Sequence, residues 1–121
     1  MTLDLPYPPS TNHAYAVVRG RKVKTAIARA YAHEVGWRVA NSVRTDPNGW
    51  RPTSTDRLTL TIAVYPPDRR RRDLSNVEKL CTDAVCAQLG VDDGQVDRLT
   101  LVRMQPDRQN SRLVLTLEAI S

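Results

Sequence analysis

The stretch from Ser75 to Gly90 limits the folds open to this chain more than any other. Val77, Leu80, Cys81, Ala84, Val85 and Leu89 recur at helical spacing, so one face of an α-helix is apolar and another layer must cover it. Ser75 and Glu78 have the spacing of a capping box, with the hydroxyl accepting from the Glu78 amide and the carboxylate reaching back. Gly90 is a natural left-handed stop. The flanks are charged: Arg69, Arg70, Arg71, Arg72 and Asp73 precede the helix, and Asp92-Asp93-Gly94 follows it.

The covering layer reads as strands. Leu3, Leu5 and Tyr7 alternate with other residues until Pro8-Pro9, and Ser10-Thr11-Asn12 is expected to turn. Leu58, Leu60, Ile62 and Val64 alternate up to Pro66-Pro67. Two later runs, Gln95 to Met104 and Arg112 to Ile120, place Leu99, Leu101, Leu113, Leu115 and Leu117 on one face, and Pro106 to Ser111 is predicted to join them as a hairpin loop. From Thr25, a plausible N-cap, Ala28, Tyr31, Ala32, Val35, Val39 and Val43 mark a second helix, Gly36 notwithstanding, until Asp46-Pro47-Asn48-Gly49. The order strand, helix, strand, helix, strand, strand predicts an α+β fold, a small mixed sheet backed by two helices. At 121 residues the chain suffices for one core, so residues 1–121 are expected to form a single domain.

Charge narrows the function. Lys and Arg number 18 against 13 Asp and Glu, a formal net charge of +5, and the excess is gathered in two places: Arg69 to Arg72, and Arg19, Arg21, Lys22 and Lys24 around Gly20. Solvated surfaces usually scatter such charge, whereas a polyanion binder concentrates it. No secretory leader and no run of about 18 apolar residues occurs, so no membrane association and a reducing cytoplasm are expected. Cys81 and Cys86 leave the same helix about 140° apart, too divergent for a disulfide. His13 and His33 are isolated and read as surface or packing residues; Trp37 and Trp50 read as packing residues. The absence of a glycine-rich phosphate loop argues against nucleotide-driven phosphoryl transfer.

Asp73 can serve as a helix N-terminal carboxylate, and Asp92-Asp93-Gly94 is ordinary turn chemistry. Together with the arginines, however, they are what metal-assisted cleavage of a polyanion needs, carboxylates for a divalent ion and guanidiniums for phosphates. Lys79 and Asp83 form an i,i+4 pair, which suffices to explain Asp83. Lys79 lies one to two turns from Asp73, where it can offset charge developing on a phosphate.

DRRRRDLSNVEKLCTDAV followed by GVDDGQV resembles the core of the RusA family of Holliday-junction resolvases, often phage-encoded, and LPYPPSTN resembles that family's proline-rich opening. The three blocks span nearly the whole chain. The resemblance implies a homodimeric endonuclease dependent on Mg²⁺, with Mn²⁺ as an alternative, that binds four-way junction DNA and nicks opposing strands in pairs. By motif position it places catalytic and metal-binding roles on Asp73, Asp92 and Asp93, with Asp93 essential within the pair, and a catalytic role on Lys79. Arg69, Arg70, Arg71, Arg72, Arg19, Arg21, Lys22 and Lys24 would hold the duplex arms. One position departs: where the family has a second aspartate, two residues after the first, this chain has Ser75. A hydroxyl is a poor replacement at a Mg²⁺ site, so the outcomes are a site completed by Asp92 and Asp93, a slower enzyme, or a protein that binds junctions without cutting. A basic module for an acidic protein partner is a further alternative.

Helix geometry raises a difficulty. Asp73 and Asp92 bracket about 14 helical residues, roughly 20 Å, and the few residues after Gly90 barely permit a return along the helix. The expected solution is a homodimer whose sites are shared, with Asp73 of one subunit meeting Asp92 and Asp93 of the other across a twofold axis.

Overall fold

The computed structural model describes residues 1–120, apart from the side chains of Thr11 and Asn12. Its strands and helices are β1 (Thr2–Pro6), α1 (Thr11–Ala14), β2 (Tyr15–Val18), β3 (Arg21–Lys24), α2 (Ala26–Thr45), β4 (Leu58–Tyr65), α3 (Leu74–Leu89), β5 (Val96–Arg103) and β6 (Arg112–Ala119). The main elements follow the expected α+β order, with a short helix and a hairpin inserted after β1.

Four strands form one sheet in the order β1-β6-β4-β5. Leu58, Leu60, Ile62 and Val64 of β4 and Leu113, Leu115 and Leu117 of β6 are buried, as are Leu3 and Leu5 of β1. They form one apolar cluster with Ala28, Tyr31, Val35 and Val39 of α2 and the predicted stripe of α3. Each fully buried aliphatic side chain contributes about 1.5–3 kcal/mol relative to exposure, so the alternation read in β1, β4 and β6 sets the sheet's inner face. Gly36 of α2 faces α3, where a Cβ would sit 3.0 Å from Oε1 at the end of the exposed Gln88 side chain. Both cysteines are buried as thiols, pushed up to about 12 for Cys81 and about 11 for Cys86, chiefly by burial.

The predicted β5–β6 hairpin is not formed. β6 inserts between β1 and β4, antiparallel to both, while β5 runs parallel to β4 on its other side. A parallel pair needs a crossover of a dozen residues or more, and α3 provides it. With β4 between them, the residues from Met104 to Ser111 must pass across the end of the sheet. The alternation in β5 is therefore misleading: Leu99 and Val102 remain 46% and 41% exposed on an edge strand.

The β2–β3 hairpin was not expected. Its strands are almost wholly exposed, so no apolar alternation announces them. The turn places Arg19 at φ 52 and Gly20 at φ 74, the two left-handed residues of a tight hairpin, with arginine in a position usually held by Asn, Asp or Gly.

Candidate active site

The N-cap of α3 lies two residues before the predicted one. Asp73, not Ser75, is the N-cap, in extended conformation and without a side-chain capping bond, and the Asn76 amide donates to the Asp73 carbonyl at 3.1 Å. Asp73, Ser75 and Asn76 are all competent caps; starting at Asp73 brings Leu74 into the helix, where it packs against the core. The capping box is thus not formed, and Ser75 and Glu78 project from within the helix.

The first turns of α3 separate two clefts. On one side Asp73 and Asn76 face Pro8, Pro9, Ser10 and His13, with Arg70, Arg71 and Arg72 along the rim, around about 660 Å³. Ser10 Oγ and His13 Nδ1 are 2.9 Å apart, so a histidine read as isolated is oriented on the wall of the cleft that Asp73 also lines. On the other side Ser75, Glu78, Lys79, Thr82 and Asp83 face Asp93 and Leu99 around about 330 Å³.

Asp93 reaches the second cleft because the chain does turn back after Gly90. Gly90 is left-handed, the Val91 amide donates to the Cys86 carbonyl at 3.0 Å, and a single 3₁₀ turn at Asp93–Gln95 follows. The few residues after Gly90, expected barely to permit a return along the helix, do make it, and Asp93 lines the α3 cleft within one chain. Asp73 remains in the other cleft.

Asp92 and Asp93 differ in use. Asp92 Oδ1 accepts from the Gly94 amide at 3.2 Å, and the Asp92 amide donates to Gln95 Oε1 at 3.0 Å. The Gly94 amide foremost, then Asp93, holds the Asp92 carboxyl below its ordinary value. Gln95, buried, donates through Nε2 to the carbonyls of Thr53 and Asp56 at 3.0 and 2.9 Å. The turn that carries Asp93 is thereby fixed by Asp92 and Gln95.

Within the second cleft, burial first and the Asp83 and Asp93 charges in addition raise the Glu78 carboxyl, while Thr82 and Lys79 oppose the rise. Thr82 is 6% exposed and its hydroxyl, although near Glu78, forms no well-aligned hydrogen bond among the described residues. Lys79 Nζ lies 3.7 Å from Asp83 Oδ2. Carboxylate oxygens are hard donors suited to Mg²⁺ or Mn²⁺. Among the described residues no three His, Cys, Asp or Glu side chains converge as a closed metal site requires. Mg²⁺, however, commonly takes one or two carboxylates and fills its shell with water and phosphate, and the donors fit that open arrangement.

The arginine run is divided. Arg72 pairs with Asp68 at 2.7 Å, which holds the Asp68 carboxyl down at about 2, and Arg103 of β5 donates to the Arg72 carbonyl. Arg69, Arg70 and Arg71 are exposed, anchored by that knot at the carboxyl ends of the two parallel strands. Arg19, Arg21, Lys22 and Lys24 are exposed on the β2–β3 hairpin, with Lys22 Nζ 4.3 Å from the Tyr15 ring centroid. Trp50 packs against the core as expected, but Trp37 is 60% exposed.

Reading the sequence missed His13, Glu78, Thr82, Gln95 and Arg103. Only Glu78 had a signal, its position one turn beyond Ser75, and the capping-box reading absorbed it.

Known proteins match nearly the whole chain. A sequence profile described as "Endodeoxyribonuclease RusA" covers residues 6–118. The protein named "Crossover junction endodeoxyribonuclease RusA" in Escherichia coli (strain K12) is 36% identical over 117 residues, 96% of this chain and 92% of that protein. The same name and the same figures hold in Shigella sonnei (strain Ss046). The "Crossover junction endodeoxyribonuclease rusA" of Enterobacteria phage 82 is 36% identical over 95% of this chain and 91% of its own length. On this match over residues 6–118 and these identities, the chain belongs to the RusA family of endodeoxyribonucleases.

Proposed function

We propose that this chain is a structure-specific endonuclease that resolves four-way DNA junctions by divalent-metal-dependent phosphodiester hydrolysis, acting as a homodimer that makes paired nicks. The observation that carries this reading is the cleft in which Asp93 and Lys79 face one another beside α3, in a chain 36% identical to crossover junction endodeoxyribonucleases along almost its full length. Asp93 is the carboxylate that would hold the ion in this cleft, with Asp92 closing the turn that aims it, and Asp73, which lines the other cleft, would join that ion only from the second subunit of the dimer. When bound, Mg²⁺ or Mn²⁺ would supply positive charge to the scissile phosphate and a water of lowered pKa. Lys79 would offset charge that develops on the phosphate. Arg69, Arg70 and Arg71, with the hairpin cations, would hold the flanking duplex through its phosphates.

The test is incubation of the purified protein with a synthetic four-way junction and a matched linear duplex, with and without Mg²⁺. Cleavage confined to the junction and to Mg²⁺ or Mn²⁺ is expected. Tight junction binding in EDTA with no cleavage on adding metal would instead favour a binding protein disabled at Ser75, and equal affinity for linear duplex would remove the junction.

A further inference from the structure

We propose that two copies of this chain join through the free edge of β5, with the two strands antiparallel about a twofold axis at Thr100, so that two four-stranded sheets become one. The inference rests on the homodimer reading above and names the surface that would join the copies.

The two edges of the sheet are unlike. β1 is five residues long and ends at Pro6, and short strands and prolines keep an edge from pairing. β5 is eight residues long, holds neither proline nor lysine, and has no strand beyond it among the described residues. The Met104 amide donates to the Val64 carbonyl at 2.8 Å. Main-chain groups alternate in direction along a strand, so those of Leu99, Leu101 and Arg103 point away from β4. Leu99, Val102 and Met104 give this edge an apolar border, 46%, 41% and 36% exposed.

The order of residues in β5 matches a second copy of itself. With Thr100 opposite its own counterpart, Leu99 faces Leu101 and Asp97 faces Arg103, each twice by symmetry. Leu99 and Leu101, whose main-chain groups point outward, then meet each other, as a hydrogen-bonded antiparallel ladder requires. Shifting the register by two residues sets Asp97 opposite Leu101 or past the end of the strand, and the charge match is lost. Asp97 already pairs with Arg57 of its own chain but stays 43% exposed, and a carboxylate can accept from a second guanidinium.

This pairing also addresses the separation of the aspartates. Arg103 donates to the Arg72 carbonyl, so Asp73 stands near the end of β5, whereas Asp93 comes just before its start. Antiparallel strands set the end of one β5 beside the start of the other. The Asp73 end of each copy is thereby brought towards the Asp93 cleft of its partner, once on each side of the axis.

Cysteine cross-linking of the full chain tests the register. Thr100 and its counterpart would form a non-hydrogen-bonded pair about 4.5 Å apart at Cα, within disulfide range, while the native Cys81 and Cys86 are buried. Under mild oxidation Thr100→Cys should give a covalent dimer. Val102→Cys, which would face Arg98 and lie about 13 Å from its counterpart, should not. Leu99→Pro removes an outward amide from an edge strand, which the protomer tolerates, and should raise the dimer dissociation constant in sedimentation ~10-fold or more. A folded Leu99→Pro protein that dimerises like the parent overturns the proposal; should that variant not fold, the cysteine pair decides. A parent dimer in which Thr100→Cys does not cross-link, or Val102→Cys does so equally, also overturns it while leaving a dimeric nuclease intact. A parent that cleaves junctions as a monomer removes the homodimer as well. A Thr100→Cys dimer from a parent that cleaves no junction upholds the interface and removes the nuclease reading.

Discussion

The two clefts beside the first turns of α3 share a helix and little else. The one that holds Asp73 is wide and rimmed by Arg70, Arg71 and Arg72; the one that holds Asp93 is half that volume and lined by Glu78 and Asp83 with a single lysine. The first suits a polyanion and the second a cation. On the proposed reading one helix turn sorts the two charges of a phosphodiester reaction, so that the arginines that attract DNA do not neutralise the carboxylates meant for the ion.

The largest expected effect falls on that division. Asp93→Asn should lower junction cleavage by ~10³-fold or more, about 4 kcal/mol of barrier, whereas Asp92→Asn, which keeps an oxygen for the Gly94 amide, should cost less than ~10-fold. Equal losses would erase the difference between the two aspartates. A mixed dimer of Asp73→Asn with Asp93→Asn sharpens the point. If each protomer builds its own site both sites are damaged and no strand is nicked, while sites shared between subunits leave one intact and yield a single nick.

Next in size is the support beneath Asp93. Gln95→Leu strips donors from the Thr53 and Asp56 carbonyls and should destabilise the fold by about 1–3 kcal/mol for each buried group left without a partner. A urea midpoint equal to that of the parent would mean that the turn holds Asp93 without Gln95.

On the basic side, replacing Arg69, Arg70 and Arg71 together by Gln should flatten the logarithmic salt dependence of junction binding by ~0.9 for each phosphate that is no longer neutralised. Arg72→Gln, whose charge is directed at Asp68, should change that slope little.

The smallest effect concerns the Asp68–Arg72 knot. The folded-state Asp68 carboxyl titrates at about 2, below its unfolded value, so the pair's contribution is complete above the ordinary carboxylate range and disappears as pH falls through that value. The stability difference between the parent and Asp68→Asn, read from urea midpoints, should therefore shrink from pH 5 towards pH 2. A constant difference would show that Arg72 is held by the Asp68 and Arg70 carbonyls instead.

The inner face of the sheet was legible because burial imposes a two-residue period on β1, β4 and β6 and a helical one on α2 and α3. What was not legible is the pairing of strands. β5 and β6 carry similar alternating leucines, and adjacency along the chain suggested a hairpin; nothing local in Pro106 to Ser111 says that β6 must cross to the far side of β4. The site was half readable for a similar reason. Asp73, Lys79 and Asp93 stood out by residue type and spacing, while His13 enters through tertiary placement alone, and Glu78 through a helix start set by the packing of Leu74.

The place of β6 has a consequence for how the molecule is made. It is the last strand in the chain and lies in the interior of the sheet, bonded to β1 on one side and β4 on the other. Until those residues have left the ribosome, β1 has no neighbour to join and β4 lacks one of its two. Pairings that close only at such long sequence separation slow folding, so between the synthesis of β4 and that of β6 the nascent chain would hold Leu58, Leu60, Ile62 and Val64 beside an empty edge, and a stop codon before Arg112 would leave β1 with no strand to join.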